Sequence, residues 1–588
     1  MRLLGKITLT SPGVLLGGWL LILSAGMAFG QQTQEVNPQF GRGNLISDVR
    51  IILLRDSVQT PAAAAELQDF YEAFFIAPGT TFNPLTADLA LSRIVREDEV
   101  EDAYYKLYDA EAGSGTLNRP LSLVIYVEMK PEGQETKEKG MLTDRKLIDF
   151  PVIYESGRSQ FKFLVNGGVG LYNDENALFG RGNAFSEGNP IADNPAGEGT
   201  RFWGEAFVEP GITGISRLGS SNIYWYGEAS VLASGRNTDD IYSSGATAFI
   251  DVERLYTGFL AAGLGPNRDI TINASYGRNF FQLNDGFLFS RFSGSSNAGE
   301  RGSVYASSRT AYQKNGNLSV QWNNLRLSGH FLEPQELFND RQLNTNYVVS
   351  TFNYNNNKNL DIGLSYIATT GGTATYRTPE GTIQKKGMYV LNPKLWLTNI
   401  AETGLFFKSE YAYQSHTTED MQSHAWYAGL GYSLKNLRTT PSVYYRYAYM
   451  EGDDPATPSY ERFDPILTGG LGNWVQGLNF RKVSGNGNIV SHRIEVTSWV
   501  TRSMSLSLDY FYLRADVQNN LGGLPPITDL PDKEIGYEVS ATLKGLIRDH
   551  FTLLGVVSYS APGAGLRADF AGELPDWLTA QVAVFINF

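Results

Sequence analysis

Five histidines are the first residues to test for chemistry in this 588-residue chain: His330, His416, His424, His492 and His550. No two of them have the spacing of an HExxH or similar metal site. Cysteine is absent, which removes thiolate metal sites, disulfides and cysteine nucleophiles together. A hydrolase would need a Ser–His pair fixed on neighbouring strands. His416 beside Ser415 and His424 beside Ser423 come nearest to one, in a polar, loop-like stretch. His330 and His492 lie beside alternating strand positions and read as lumenal or girdle residues. The acidic turn Glu451-Gly452-Asp453-Asp454 has carboxylates that a hard cation such as Ca²⁺ would favour, but it reads first as a solvated loop. Gly41-Arg42-Gly43 and Gly180-Arg181-Gly182 lack the strand-to-helix context of a phosphate-cradling loop. The expectation is a protein that is not an enzyme, with no catalytic residue, metal or cofactor.

The charged residues that remain are organised by a period of two. Leu325, Leu327 and Phe331 alternate with Arg326, Ser328 and His330, and Leu318, Val320 and Trp322 alternate with Ser319 and Gln321. Tyr445, Tyr447 and Tyr449 oppose Arg446, while Ile494 and Val496 oppose Arg493, Glu495 and Thr497. Ile535, Tyr537, Val539, Ala541 and Leu543 oppose Glu538, Ser540, Thr542 and Lys544. Each segment is a strand with one greasy and one polar face. In a soluble sandwich the greasy face would point inward. In a transmembrane barrel it meets lipid, and the charged face lines a wet lumen. The mixed polar faces, the Tyr and Trp residues near strand ends and the alternation of short with long connections favour the barrel. Tyr354–Asn359 is a short connection; Ala184–Arg201, Glu451–Tyr460 and Asn519–Lys533 are long ones.

Composition agrees. Aromatics make up 12% of the chain at a mean hydropathy of −0.23, too polar for a helical membrane protein yet rich in girdle residues. A net charge of −13 argues against nucleic acid as a partner. Residues 1–30 read as a secretory signal: Arg2 and Lys6 precede an apolar stretch, and Ala28-Phe29-Gly30 offers a cleavage site. Residues 31–44 follow as an extended segment. Within 45–130, Asp48–Leu54 and Leu121–Lys130 read as strands and Ala62–Phe75 as a helix. Leu85, Leu89, Ile94, Val100, Tyr104 and Leu107 recur at helical spacing, with Thr86 as a cap. Residues 131–157 form a charged linker. Residues 158–588, roughly 430 positions, hold about 16 to 18 strands, enough to enclose an aqueous channel. The last strand puts Ala580, Val582, Val584, Ile586 and Phe588 on one side and Thr579, Gln581 and Asn587 on the other. It is expected to pair with the first strand, with Phe588 as the signal read by outer-membrane barrel-assembly machinery. The fold class is thus an all-β transmembrane antiparallel barrel preceded by a small α+β periplasmic domain.

Two families are resembled. Over about 270–588 the chain is similar to the alginate-export porins. The resemblance rests on Tyr276–Leu283 (YGRNFFQL), Asn324–Ser328 to Glu333-Pro334, Asn359–Tyr366, Tyr389–Trp396, and Tyr445-Arg446-Tyr447 leading through Gly452-Asp453-Asp454 to Arg462–Leu467. It implies an Arg-rich, selective lumen passing an anionic polysaccharide or smaller acid, with Arg278, Arg326, Arg446 and Arg493 lumenal. Lys394, Lys408, Glu410, Glu495, Asp509 and Glu538 complete the candidate pore-lining set, and the acids among them temper an anion-selective field. Over 45–190 the chain resembles POTRA-barrel transporters, through GTTFNPLTADLALSRI and LSLVIYVEMKP and then Gly168–Tyr172 and Asn176–Asn183. The late Arg-Gly motif of those transporters is missing. The expected function is an outer-membrane porin or export channel for a polar, anionic or saccharide solute. The alternative is a POTRA-barrel translocase or insertase for polypeptides. Outer-membrane lipid and a periplasmic protein at the N-terminal module are the expected partners.

Overall fold

The computed structural model describes Glu35–Val36 and most of residues 44–130, 152–186, 192–290, 302–334, 345–468, 474–518 and 530–587. Every structural statement concerns these residues. The expected signal segment 1–30, most of 31–44 and 131–157, His550 and Phe588 lie outside them.

The N-terminal unit is a five-stranded sheet with a helical layer on one face. Its elements are β1 (Glu35–Val36), β2 (Ile46–Arg55), β3 (Val58–Gln59), α1 (Pro84–Ile94), β4 (Val100–Asp109) and β5 (Leu121–Met129). The spatial order is β1-β4-β5-β2-β3, with β2 and β5 parallel. Leu67, Phe70, Tyr71 and Ala73, from the expected 62–75 helix, are helical. Residues 100–107 are not: the helical pattern stops at Ile94 and β4 follows. Ala103 and Leu107 both point into the core with Val49, Ile51, Leu123 and Ile125, a two-residue period that the shorter helical window obscured. Thr86 does not cap α1 either. Pro84 opens the helix, as its missing N–H permits, and the Thr86 hydroxyl donates to Asn83 O at 2.9 Å.

The barrel strands are β7 (Ser159–Glu175), β8 (Thr200–Arg217), β9 (Ile223–Arg236), β10 (Thr247–Leu264), β11 (Ile270–Asn279), β12 (Tyr312–Trp322), β13 (Leu325–Glu333), β14 (Asn346–Asn355) and β15 (Leu360–Gly371). After a separate hairpin, β16 (Thr375–Thr378) and β17 (Gly381–Gln384), the wall resumes with β18 (Met388–Ile400), β19 (Leu405–His416), β20 (Gln422–Ser433), β21 (Ser442–Met450), β22 (Ile489–Thr501), β23 (Met504–Arg514), β24 (Glu534–Ile547), β25 (Phe551–Pro562) and β26 (Trp577–Asn587). Short β6 (Val152–Glu155) pairs with the start of β7. Neighbouring strands are antiparallel, and β26 closes on β7, giving an 18-strand ring. The turns at 218–222, 323–324 and 401–404 share one end with the start of β7 and the end of β26. The long connections 176–199, 280–311, 451–488, 515–533 and 563–576 emerge at the other. His416 and His424 stand at the ends of β19 and β20 rather than in a loop.

The faces are inverted relative to a soluble protein. Leu327 is 56% exposed and Val582 52%, whereas Arg446 is 2% and Glu410 1% exposed on the inner side of the ring. Outward aromatic pairs run round β15–β25 toward the long-loop end: Tyr366–Tyr389 (6.3 Å), Trp426–Tyr447 (5.1 Å) and Tyr510–Tyr537 (6.4 Å). This is the interfacial girdle of a barrel that crosses lipid. Ile535, expected outside, is buried within the interior cluster, because the pairing of β23 with β24 shifts register between Leu513 and Arg514.

The interior is not uniformly wet. Inward-folded connections carry Phe179, Phe185, Phe287, Phe289, Phe463, Trp474 and Phe480 into one apolar cluster with the wall residues Tyr312, Tyr347, Tyr427 and Trp577. The long-loop half is packed by loops, and polar wall residues concentrate at mid-height and toward the short turns.

Candidate functional site: a charged lumenal band

Two clusters of ionisable side chains occupy opposite sides of the ring at mid-height. On the first wall, Arg254 of β10 reaches Glu209 of β8 (3.5 Å) and Glu228 of β9 (3.2 Å). Ser230 donates to Glu209 at 2.6 Å, and the Tyr256 hydroxyl to Glu228 at 3.1 Å. Strict alternation would send Glu253 outward. A bulge between Val252 and Arg254 turns both Glu253 and Arg254 inward. Glu253 then meets Arg309 (3.7 Å) from the β11–β12 connection and Arg278 (4.0 Å).

On the second wall, cross-strand register sets the neighbours. Lys394 stands opposite Glu410 and Trp396 opposite Lys408. Lys394 Nζ lies 4.5 Å and Lys408 Nζ 4.8 Å from the Trp396 ring centre, so two cations share one indole. Lys394 also pairs with Asp361 at 2.8 Å. Arg446 and Arg493 are directly opposed, as are Glu495 and Asp509. Arg493 contacts both carboxylates at 2.6 Å. Arg446 leans on the Trp474 ring at 4.0 Å and donates to Val475 O at 3.3 Å and Gln476 at 3.2 Å.

Two connections cross this space. From 280–290, Asn284 donates to Glu410 at 2.9 Å, and Asp285 accepts from the Tyr427 hydroxyl at 3.1 Å. From 451–488, segment 474–482 runs from Arg446 of β21 to β24, three strands farther round the ring, where its backbone N–H groups point at Glu538. Asn479 N is 3.0 Å and Phe480 N 3.3 Å from that carboxylate, and Leu478 N also donates to it. Hydroxyls of Ser540 (3.0 Å), Ser558 (2.8 Å) and Ser560 (3.0 Å) complete the cradle. Gly477, at φ +84°, permits the approach: a Cβ there would lie 2.5 Å from the carboxylate.

Of the residues named from sequence, the structure brings together Lys394, Lys408, Glu410, Arg446, Arg493, Glu495 and Asp509. It separates three others. Arg278 belongs to the first wall, its Nε donating to Glu253 O at 2.9 Å. Arg326 lies at the short-turn mouth and donates to Gly79 O of the N-terminal unit. Glu538 holds a loop rather than facing open lumen, since its oxygens are occupied by the donors above. Glu209, Glu228 and Arg254 are additional members that the same alternation through β8–β10 could have supplied, whereas Glu253 sits at the bulge, where alternation fails. Trp474 and Asp285 carry no periodic signal at all.

The band offers fixed charge and hydrogen-bonding groups. His424 and His492 are on the outer face, with Tyr411 bonded to the first and Tyr445 2.8 Å from the second. Ser423 donates to Gln414 at 3.0 Å, not to a histidine. In the acidic turn, Glu451 accepts from His424 N (2.6 Å), Asp453 from Glu461 N (3.0 Å) and Asp454 from Ala456 N (2.9 Å), which ties these carboxylates to backbone.

No protein-family profile matches the chain, and no curated protein matches it, so the resemblances to alginate-export porins and POTRA transporters gain no support from either. Solved structures that are similar include Pseudomonas aeruginosa OccK5 (OpdH), at 10% identity and a TM-score of 0.44, over 73% of this chain and 98% of that one. OccK8 (OprE) of the same organism gives 8% and 0.44, and Salmonella typhi OmpF in complex with daunomycin 9% and 0.33, each over 73% and 98% of the two chains. Likeness at these scores is too weak to assign a role, and the geometry of this chain carries the functional reading.

Proposed function

We propose that this protein is an outer-membrane diffusion channel for polar solutes, with anionic or saccharide molecules as its preferred cargo. The observation that carries the reading is the inversion of faces in a closed ring: Leu327 and Val582 outside, Arg446, Arg493 and Glu410 inside. Closure of the ring satisfies every backbone group of a membrane-crossing sheet, and with the ring closed the apolar faces meet lipid while the polar faces turn to a lumen.

A solute entering from either end meets the band of Lys394, Lys408, Arg446 and Arg493 against Glu209, Glu228, Glu495 and Asp509. Charged groups of both signs replace part of its hydration shell, and their spacing decides which solutes enter without being trapped. The indole of Trp396, with its two lysines, offers a flat apolar face beside cations, a pairing suited to a sugar ring bearing an acid. Segment 474–482 narrows the path. Outer-membrane lipid is the partner of the greasy band.

The test is reconstitution of the mature chain in planar bilayers, with the reversal potential measured across a KCl gradient. Resolved single-channel openings are expected. Arg446→Glu and, independently, Lys408→Glu should each move the anion-to-cation permeability ratio at least twofold toward cations. Unchanged selectivity in both would remove the band from the path.

A further inference from the structure

Resting on the channel reading, we propose that the N-terminal unit is a releasable stopper for the short-turn mouth, latched by the ion pair between Asp88 and Lys162. Helix α1 has two working faces. Ala87, Ala90, Leu91 and Ile94 pack into the unit's own sheet. Leu89, on the other side, is fully buried against the barrel residues Ile215, Tyr224, Tyr226, Tyr256 and Leu260. Ile215, Tyr224 and Leu260 stand toward the short-turn ends of β8, β9 and β10, with Tyr226 and Tyr256 deeper along the strands, so α1 sits in the mouth itself. Asp88, next to Leu89, pairs with Lys162 of β7 at 2.8 Å, with both side chains nearly buried (11% and 8% exposed). Farther round the ring, on β13, Arg326 donates to Gly79 O. The unit therefore bridges the opening from β7 to β13.

The seat is shaped for the helix. Gly263 of β10 has φ +66°, and a Cβ there would collide with the Arg93 guanidinium of α1. Yet the contact is not built like a permanent core. Its apolar content on the α1 side is Leu89. Phe75, outside the helix, packs against the same barrel residues, and the other members are a desolvated ion pair and a guanidinium bonded to a carbonyl. Buried pairs of this kind fix geometry while adding little net stability, because desolvation offsets their attraction. Breaking one partner leaves the other charge stranded, which strongly disfavours the docked state. Twenty-two residues, 130–151, separate Met129 of the unit from Val152 of the barrel in sequence, so a short covalent connection is not what holds the unit in the mouth. Release would uncover Lys162 and Arg326 as two cations at the entrance.

The chain has no cysteine, so an introduced pair reacts alone. In the full-length mature protein, Asp88→Cys with Lys162→Cys, joined by a short bis-maleimide, is expected to lower open probability in planar bilayers at least tenfold relative to the unjoined pair. Asp88→Lys should raise open probability at least tenfold over the parent, and the exchanged pair Asp88→Lys with Lys162→Asp should return it to the parent value. Conductance that is the same joined and unjoined, with Asp88→Lys behaving as the parent, overturns the stopper and leaves the channel standing. A chain silent in every one of these forms, although folded by heat-modifiable migration, overturns both.

Discussion

Replacing Glu538 with Gln removes the charge on which segment 474–482 is hung, and the size of the effect is set by the donors around it. Three backbone N–H groups (Leu478, Asn479, Phe480) and three serine hydroxyls (Ser540, Ser558, Ser560) point at one carboxylate. A carboxylate has about four acceptor sites, so every one is in use. Glutamine keeps one oxygen and turns an NH₂ toward N–H groups that need an acceptor. At least two charge-assisted bonds, worth roughly 1.5 kcal/mol each, are lost, or about 3 kcal/mol of local stability. The wall is less affected, because the ladders of β23–β24 and β24–β25 persist without that side chain. The opening of residues 478–480 should therefore rise by roughly a hundredfold, read as faster amide hydrogen exchange of those residues in detergent or nanodiscs. Single-channel current should become larger and noisier as the segment leaves the lumen. Exchange at 478–480 within twofold of the parent, in a protein whose barrel still migrates as folded, would refute the assignment of Glu538 as anchor.

Other outcomes test other parts of the account. Trp474→Ala removes the ring that packs on Tyr427 (4.5 Å), Phe287 (4.8 Å) and Arg446, and should cost about 3–5 kcal/mol locally; conductance should rise, and an unchanged current would place Trp474 off the path. Val582→Arg puts a charge on the lipid side of β26 and should destabilise folding in vesicles by about 2–4 kcal/mol, whereas the inward Gln581→Arg should cost far less; equal costs in denaturant titration would contradict the inverted faces. Glu451, at the long-loop end, has its carboxyl raised by burial to about 7, against a lowering hydrogen bond from His424 N. A folded pKa above the unfolded value means that stability at this end falls as pH rises from about 4.5 to about 7. Thermal unfolding between those values should show the loss in the parent and a flatter profile in Glu451→Gln.

The two-residue period alone determined that Arg326, Arg446, Arg493 and Glu538 share faces opposite Leu327, Tyr445, Ile494 and Tyr537, because side-chain direction along a strand is local geometry. Glycine- and asparagine-rich breaks marked the short turns, and the greasy final strand implied closure on the first. Period could not reveal bulges, so Glu253 and Ile535 were out of reach: a one-residue shift depends on the partner strand. Nor could it say that residues 100–109 pair with β5, since aromatic and apolar residues three or four apart fit a helix until a neighbouring strand is available. Tertiary structure alone decided what fills the ring. Trp474 meets Arg446, segment 478–480 meets Glu538, and Asp88 meets Lys162 across long sequence separations, and such contacts form only once closure of the wall has fixed the shape and charge of the space inside it.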